Sequence, residues 1–125
     1  MRAFLLVGMG GFAGALLRFY IAGWIQAACH SFGFPMGTLS VNMVGCLVLG
    51  FLGGISEHLG AIPQDVRLMI MVGLLGSFTT FSTFSYETMT LLRDQEILFA
   101  LTNIGVQVIV GLLAAWFGFI LAHQL

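Results

Sequence analysis

The chain has 125 residues, 59% of them hydrophobic and only 7% charged, with 17 glycines and 12 phenylalanines. A soluble domain carries roughly a quarter charged residues, so this composition excludes most soluble folds and makes the bilayer the expected solvent. With four arginines, no lysine and a net charge of -1, it has no basic patch for a nucleic-acid partner.

A spanning helix needs about 20 mostly apolar residues, and four such stretches fit between the charges, prolines and polar clusters. The first covers about 3–27 and contains Arg18. The second, about 36–56, follows the turn-like His30-Ser31-Phe32-Gly33-Phe34-Pro35, whose proline stands where a missing N–H costs little. The third, about 66–92, follows Gly60-Ala61-Ile62-Pro63-Gln64-Asp65, with Asp65 as the expected N-cap. The fourth, about 97–122, follows the charged turn Arg93-Asp94-Gln95-Glu96. Together they use almost the whole chain, so 1–125 reads as a single all-α, four-helix transmembrane domain embedded in the lipid bilayer. No small-residue cleavage site leads into a soluble domain, and the first stretch therefore reads as a helix instead of a signal peptide. Barrel strands of about 9 to 11 alternating residues do not fit these lengths.

Arginine placement gives almost no topological bias. With the N-terminus in the cytoplasm, Arg2 and Arg67 lie inside, Arg93 outside, and Arg18 in the outer half of its helix. Either one dominant charge sets a single orientation, or the chain inserts both ways and pairs around an axis in the membrane plane. Gly10 with Gly14 and Gly50 with Gly54 form two GxxxG pairs, which serve either intrachain helix contact or a dimer seam. Cys29 and Cys46 lack metal-ligand spacing and read as packing residues.

Polar groups inside apolar segments must find partners, and they mark either packing or a polar path. The third stretch is the richest, with six hydroxyl residues among the nine positions from Ser77 to Ser85. Serine, threonine, glycine and phenylalanine rank below the good helix formers, and hydroxyls compete for backbone carbonyls. A break near Gly76–Thr79 is therefore expected, with a continuous helix as the alternative. Such breaks leave carbonyls near the midplane, where they can coordinate ions. Phe78, Phe81 and Phe84 recur every three residues and either face lipid or present positive ring edges to an anion.

Thr38 and Asn42 share one face of the second helix, and Asn103, Gln107 and Gly111 share one face of the fourth. Should these faces meet the third helix, they would form with Ser82 and Thr83 a narrow track of uncharged donors. The alternative is interhelical hydrogen bonding for stability, at about 0.6 kcal/mol per pair. Arg18 either snorkels to the interface or pairs near a vestibule, and Glu87 either lines the mouth of a pathway or is an ordinary interface carboxylate. No nucleophile–base pair, HExxH, paired carboxylates or phosphate loop occurs, so no enzyme is indicated.

Four stretches of this sequence resemble the Fluc (CrcB-type) fluoride channel family. They are Gly11-Phe12-Ala13-Gly14-Ala15-Leu16-Leu17-Arg18-Phe19-Tyr20, Gly37-Thr38-Leu39-Ser40-Val41-Asn42, the span Gly45 to Gly50, and Gly73 to Phe84 ending in Thr79-Thr80-Phe81-Ser82-Thr83-Phe84. The resemblance implies an antiparallel, dual-topology homodimer in the cell inner membrane, with two fluoride pathways and a sodium ion at its centre. It implies sodium ligation by the carbonyls of Gly76 and Thr79 from both subunits, pore phenylalanines Phe81 and Phe84 joined by Asn42, and Arg18 as the first-helix arginine. Asn103, Gln107 and Gly111 stand where relatives vary between tyrosine, histidine and serine. A small dual-topology multidrug-type exporter is the competing transport reading, but it requires an acidic residue in the middle of the first helix, which this sequence lacks. A scaffold subunit without transport is a third reading.

Overall fold

The computed structural model describes residues 1–58, 60 and 62–124, with residue 58 described by its backbone only. Among the described residues, four helical spans are long and apolar enough to cross a membrane. Helix α1 is Arg2–Ala28 and α2 is Met36–His58. The third span, Gln64–Arg93, is interrupted and comprises α3, residues 64–78, and α4, Phe81–Arg93. Helix α5 is Ile97–Ala122. A short 3-10 turn, His30–Phe32, and Gly33 in the left-handed region at φ 62° join α1 to α2, a conformation that glycine adopts without steric cost.

At the start of α3 the N-cap is Pro63 and not the expected Asp65. Asp65 lies in the first turn, where a negative charge favours the helix dipole, and its carboxylate pairs with Arg2 of α1. Arg67–Leu75 is wound as a π-helix, the rare i→i+5 form, which the hydrophobic pattern did not signal.

The helices associate in two close pairs, α1 along α3 and α2 along α5, with α1 also touching α2 and α4 touching α5. The glycines explain the closeness. A Cβ on Gly10 would strike the Met69 carbonyl oxygen, and one on Gly14 the Leu74 carbonyl oxygen. On the other pair, Gly50 faces the Ala115 carbonyl and Gly118 faces that of Leu47. A Cβ at Gly54 would stand 2.8 Å from the Phe119 carbonyl oxygen. Both GxxxG pairs thus serve contacts within the chain. Without a hydrophobic drive between helices in lipid, such close backbone approach supplies the packing energy.

The third span breaks at Thr79 and Thr80, at the C-terminal edge of the expected window. Thr79 has φ -87°, ψ 156° and Thr80 has φ -151°, ψ 115°, both extended. Gly76, at φ -62° and ψ -30°, is still helical. The Thr80 side chain accepts from the Thr83 N–H at 3.3 Å and so caps α4, which is the role threonine fills at helix starts.

Gly10→Ala and Gly14→Ala are each expected to lower stability by about 1 to 3 kcal/mol through overpacking. Gly8→Ala, with nothing within 4 Å of its added Cβ, should be neutral or slightly stabilising. Thermal unfolding of the three variants followed by circular dichroism in detergent checks the ranking.

Candidate functional site

The bilayer supplies no water to an interrupted helix, so the backbone groups freed at Thr79–Thr80 need protein partners. Asn42 of α2 supplies one for the Thr80 N–H. Its Oδ1 accepts from the Thr80 N–H at 2.8 Å, and its Nδ2 donates to the Thr80 carbonyl at 3.2 Å. The side-chain amide thereby stands in for the next strand of backbone. In an unbroken helix the Thr80 N–H would bond the Gly76 carbonyl and the Thr83 N–H would bond that of Thr79. Here those donors go instead to Asn42 and to the Thr80 hydroxyl. The same two carbonyls, Gly76 and Thr79, are the ones the resemblance implicates in sodium binding.

Asn42 Nδ2 also donates to Gln107 Oε1 of α5 at 3.0 Å. The expected meeting of the α2 and α5 faces is therefore made at this one pair. Gly45, one turn along α2, fits against the Thr79 side chain, which a Cβ would strike. These contacts line a groove of about 250 Å³ that also includes Phe81, Phe84 and Cys46. The two rings are 5.4 Å apart between centroids and inclined by 58°. Phe84 is buried, whereas Phe81 is 77% exposed on the single chain. No charged side chain lines this groove.

A second groove, the outer one, of about 410 Å³, lies toward the start of α2 and the end of α1, and Thr80 lines both it and the first, inner groove. Arg18, Thr38, Thr83 and Glu87 surround it. The Thr38 hydroxyl donates to Glu87 Oε1 at 2.6 Å. Arg18 shares the groove with Glu87, but neither of the ion pairs among the described residues involves it. The groove thus holds one basic and one acidic side chain, with Arg18 half-buried.

The remaining expected site residues are placed differently. Asn103 is fully buried and donates through Nδ2 to the Thr88 hydroxyl at 2.9 Å, which in turn donates to the Phe84 carbonyl at 2.8 Å. It lines neither groove and braces α4 against α5. Ser82 is exposed beside the break, its hydroxyl 3.3 Å from that of Thr80. Phe78 is buried before the break and stands apart from Phe81 and Phe84, because two extended residues interrupt the three-residue repeat.

Two residues that carry the site were not singled out from the sequence. Thr80 lines both grooves and caps α4, and its signal was a threonine three residues ahead of a second hydroxyl at a helix start. Gln26 bridges α1 to α2, donating to the Phe34 carbonyl at 3.1 Å and accepting from the Gly37 N–H at 3.0 Å. That N–H is one of the first-turn donors any helix leaves unpaired. Which loop carbonyl a lone glutamine reaches is not visible in sequence.

The sequence profile of the family described as CrcB-like protein, Camphor Resistance (CrcB), matches residues 5–119. The chain is 43% identical to "Fluoride-specific ion channel FluC 1" of Methanosarcina acetivorans, over all of this chain and 94% of that protein. It is 41% identical to "Fluoride-specific ion channel FluC" of Geobacter metallireducens, over the full length of both. A protein of the same name from Methanocaldococcus jannaschii is 46% identical over 98% of this chain and 95% of its own.

Asn42→Leu leaves the Thr80 N–H unpaired in a water-poor setting, which costs about 1 to 3 kcal/mol, and also removes the donor that meets Gln107 Oε1. Thr80→Val removes only the cap, at about 1 kcal/mol. Asn42→Leu should therefore lower the detergent unfolding midpoint more than Thr80→Val, and equal midpoints would remove Asn42 from its place as the clamp.

Proposed function

The chain belongs to the CrcB family, and from that premise we propose that it is a passive, fluoride-selective channel of the cell inner membrane, through which fluoride leaves the cell and its toxicity is relieved. The observation that carries this reading is the uncharged groove beside the helix break, built from amides, hydroxyls and ring edges. The names borne by its full-length relatives support the choice of anion, and they are names of channels, not of enzymes.

Fluoride is small and strongly hydrated, so a narrow path must replace its water with donors that hold it without trapping it. Arg18 in the outer groove, which it shares with Glu87, offers the anion a cationic first contact. The inner groove then offers neutral donors and positive ring edges, from which release is fast because no full charge holds the ion. Thr80 lines both grooves. Thr38, Thr83 and Glu87 form the wall of the outer groove.

The functional unit in this reading is an antiparallel, dual-topology homodimer with two pores. Phe81, Ser82 and Thr83 are exposed on the single chain beside a mid-span break, and polar groups at that depth call for a protein partner. A second copy inserted in the opposite sense fits the nearly balanced arginines. The carbonyls of Gly76 and Thr79, deprived of their helical donors, suit a hard cation such as sodium at the centre of that dimer. Bound there, sodium would supply positive charge near the anion paths and tie the subunits together.

Liposomes containing the purified protein are expected to release fluoride rapidly under a voltage clamp set by a potassium ionophore, with no proton gradient and with chloride retained. Release of chloride at the same rate, or a requirement for a proton gradient, would reject the channel. Phe81→Ala or Phe84→Ala should reduce efflux by at least about tenfold, the loss of more than about 1.4 kcal/mol, while the dimer persists. A tag at the C-terminus should be accessible from both sides of the membrane, and access from one side alone would reject dual topology.

A further inference from the structure

We propose that Gly45 is the positioning residue of the cation site at the helix break: it gives no ligand itself, but by receiving the Thr79 methyl group it fixes the direction of the Thr79 carbonyl. The proposal rests on the sodium reading above and adds to it a residue on α2. Two carbonyls at the break have lost their helical donors. The Thr80 N–H, due to Gly76, goes to Asn42, and the Thr83 N–H, due to Thr79, goes to the Thr80 hydroxyl. Unwound carbonyls of this kind are suited to sodium, but only if something holds their direction.

Thr79 is extended, at φ -87° and ψ 156°, and has no helical turn after it to hold its carbonyl. Its side chain supplies the hold. The hydroxyl donates to the Leu75 carbonyl at 3.1 Å, the same oxygen that accepts from the Thr79 N–H at 3.1 Å. Threonine's branched Cβ leaves few other settings of χ1. With the hydroxyl so placed, Cγ2 is turned toward α2 and meets the buried Gly45.

A Cβ added to Gly45 would strike that methyl group. The next nearest atoms, Phe78 Cδ1 at 3.5 Å and Thr79 Cβ at 3.6 Å, are in ordinary contact distance, so the methyl alone stands in the way. Three residues earlier on the same helix, Asn42 takes the Thr80 N–H. Helix α2 thus grips both residues of the break, one by fit and the other by a hydrogen bond. A larger residue at 45 forces Thr79 either to turn χ1 and give up the Leu75 bond or to move away from α2. In both cases the carbonyl loses its fixed direction.

The test reads sodium binding without transport. Thermal unfolding of the protein in lipid nanodiscs is followed as sodium chloride replaces N-methyl-D-glucamine chloride at constant ionic strength. An ion bound only by the folded state raises the midpoint as its concentration grows, and the wild-type protein should show that rise. Its absence there overturns the sodium reading, and this proposal with it, before any variant is made. Gly45→Ala should need at least about tenfold more sodium for the same rise, the loss usual when a residue that orients metal ligands is changed. A midpoint lowered equally at every sodium concentration is the mark of a purely structural role, and that result overturns the proposal, as does a wild-type sodium response. Thr79→Ser keeps the hydroxyl and deletes Cγ2, so Gly45→Ala combined with Thr79→Ser should regain the sodium response of Thr79→Ser alone. Where Gly45→Ala does not fold, this double variant decides: a folded protein with the sodium response supports the proposal. A double variant that does not fold, or that folds without the response, overturns it.

Discussion

A helix cannot be interrupted inside a bilayer unless its freed backbone groups are bonded by protein, because water is absent and each unpaired group is expensive. In this chain the bonding is shared by Asn42 and the Thr80 hydroxyl, which takes the Thr83 N–H. Asn42 pairs with both the N–H and the carbonyl of Thr80, and so ties the break to α2. Replacing the amide with an apolar group would leave the span with the energetic choice of closing into a continuous helix.

The closeness that brings Asn42 to Thr80 is set elsewhere, by glycines. Gly10 and Gly14 let α1 lie against the carbonyls of α3, and Gly50, Gly54 and Gly118 do the same for α2 and α5. These contacts hold two pairs of helices at short range, and Gly45 admits the Thr79 side chain beside the break. Amides on α2 and α5 can then meet at 3.0 Å. Packing and polar chemistry are thus separate layers, one made of residues too small to hold the helices apart and the other of residues that bond across the gap.

The distribution of charge follows the same economy. Arg18 and Glu87 stand at the outer groove, while no charged side chain reaches the inner one. A charge at mid-span is costly, and an anion path lined with fixed positive charge would bind too firmly to turn over. Neutral donors held rigidly avoid both difficulties. Asn42 is held by three hydrogen bonds, to the N–H and the carbonyl of Thr80 and to Gln107 Oε1, which fix its rotation.

Much of this was determined by the sequence alone. Four apolar stretches separated by charges and prolines require four spans, and a run of hydroxyls, glycine and phenylalanine weakens the third near its middle, because both are consequences of local composition. The pairing of Asn103 with Gln107 on one face likewise follows from helical period. What each polar residue bonds was decided only in three dimensions. Asn103 and Gln107 share a face, yet one is buried against Thr88 while the other reaches Asn42 and lines the groove. The GxxxG pairs had two possible partners until the carbonyls of Met69, Leu74 and Ala115 were found opposite them. Period and composition act within one segment, whereas a hydrogen bond across helices depends on the rotation and depth of two segments at once, and only their packing fixes both.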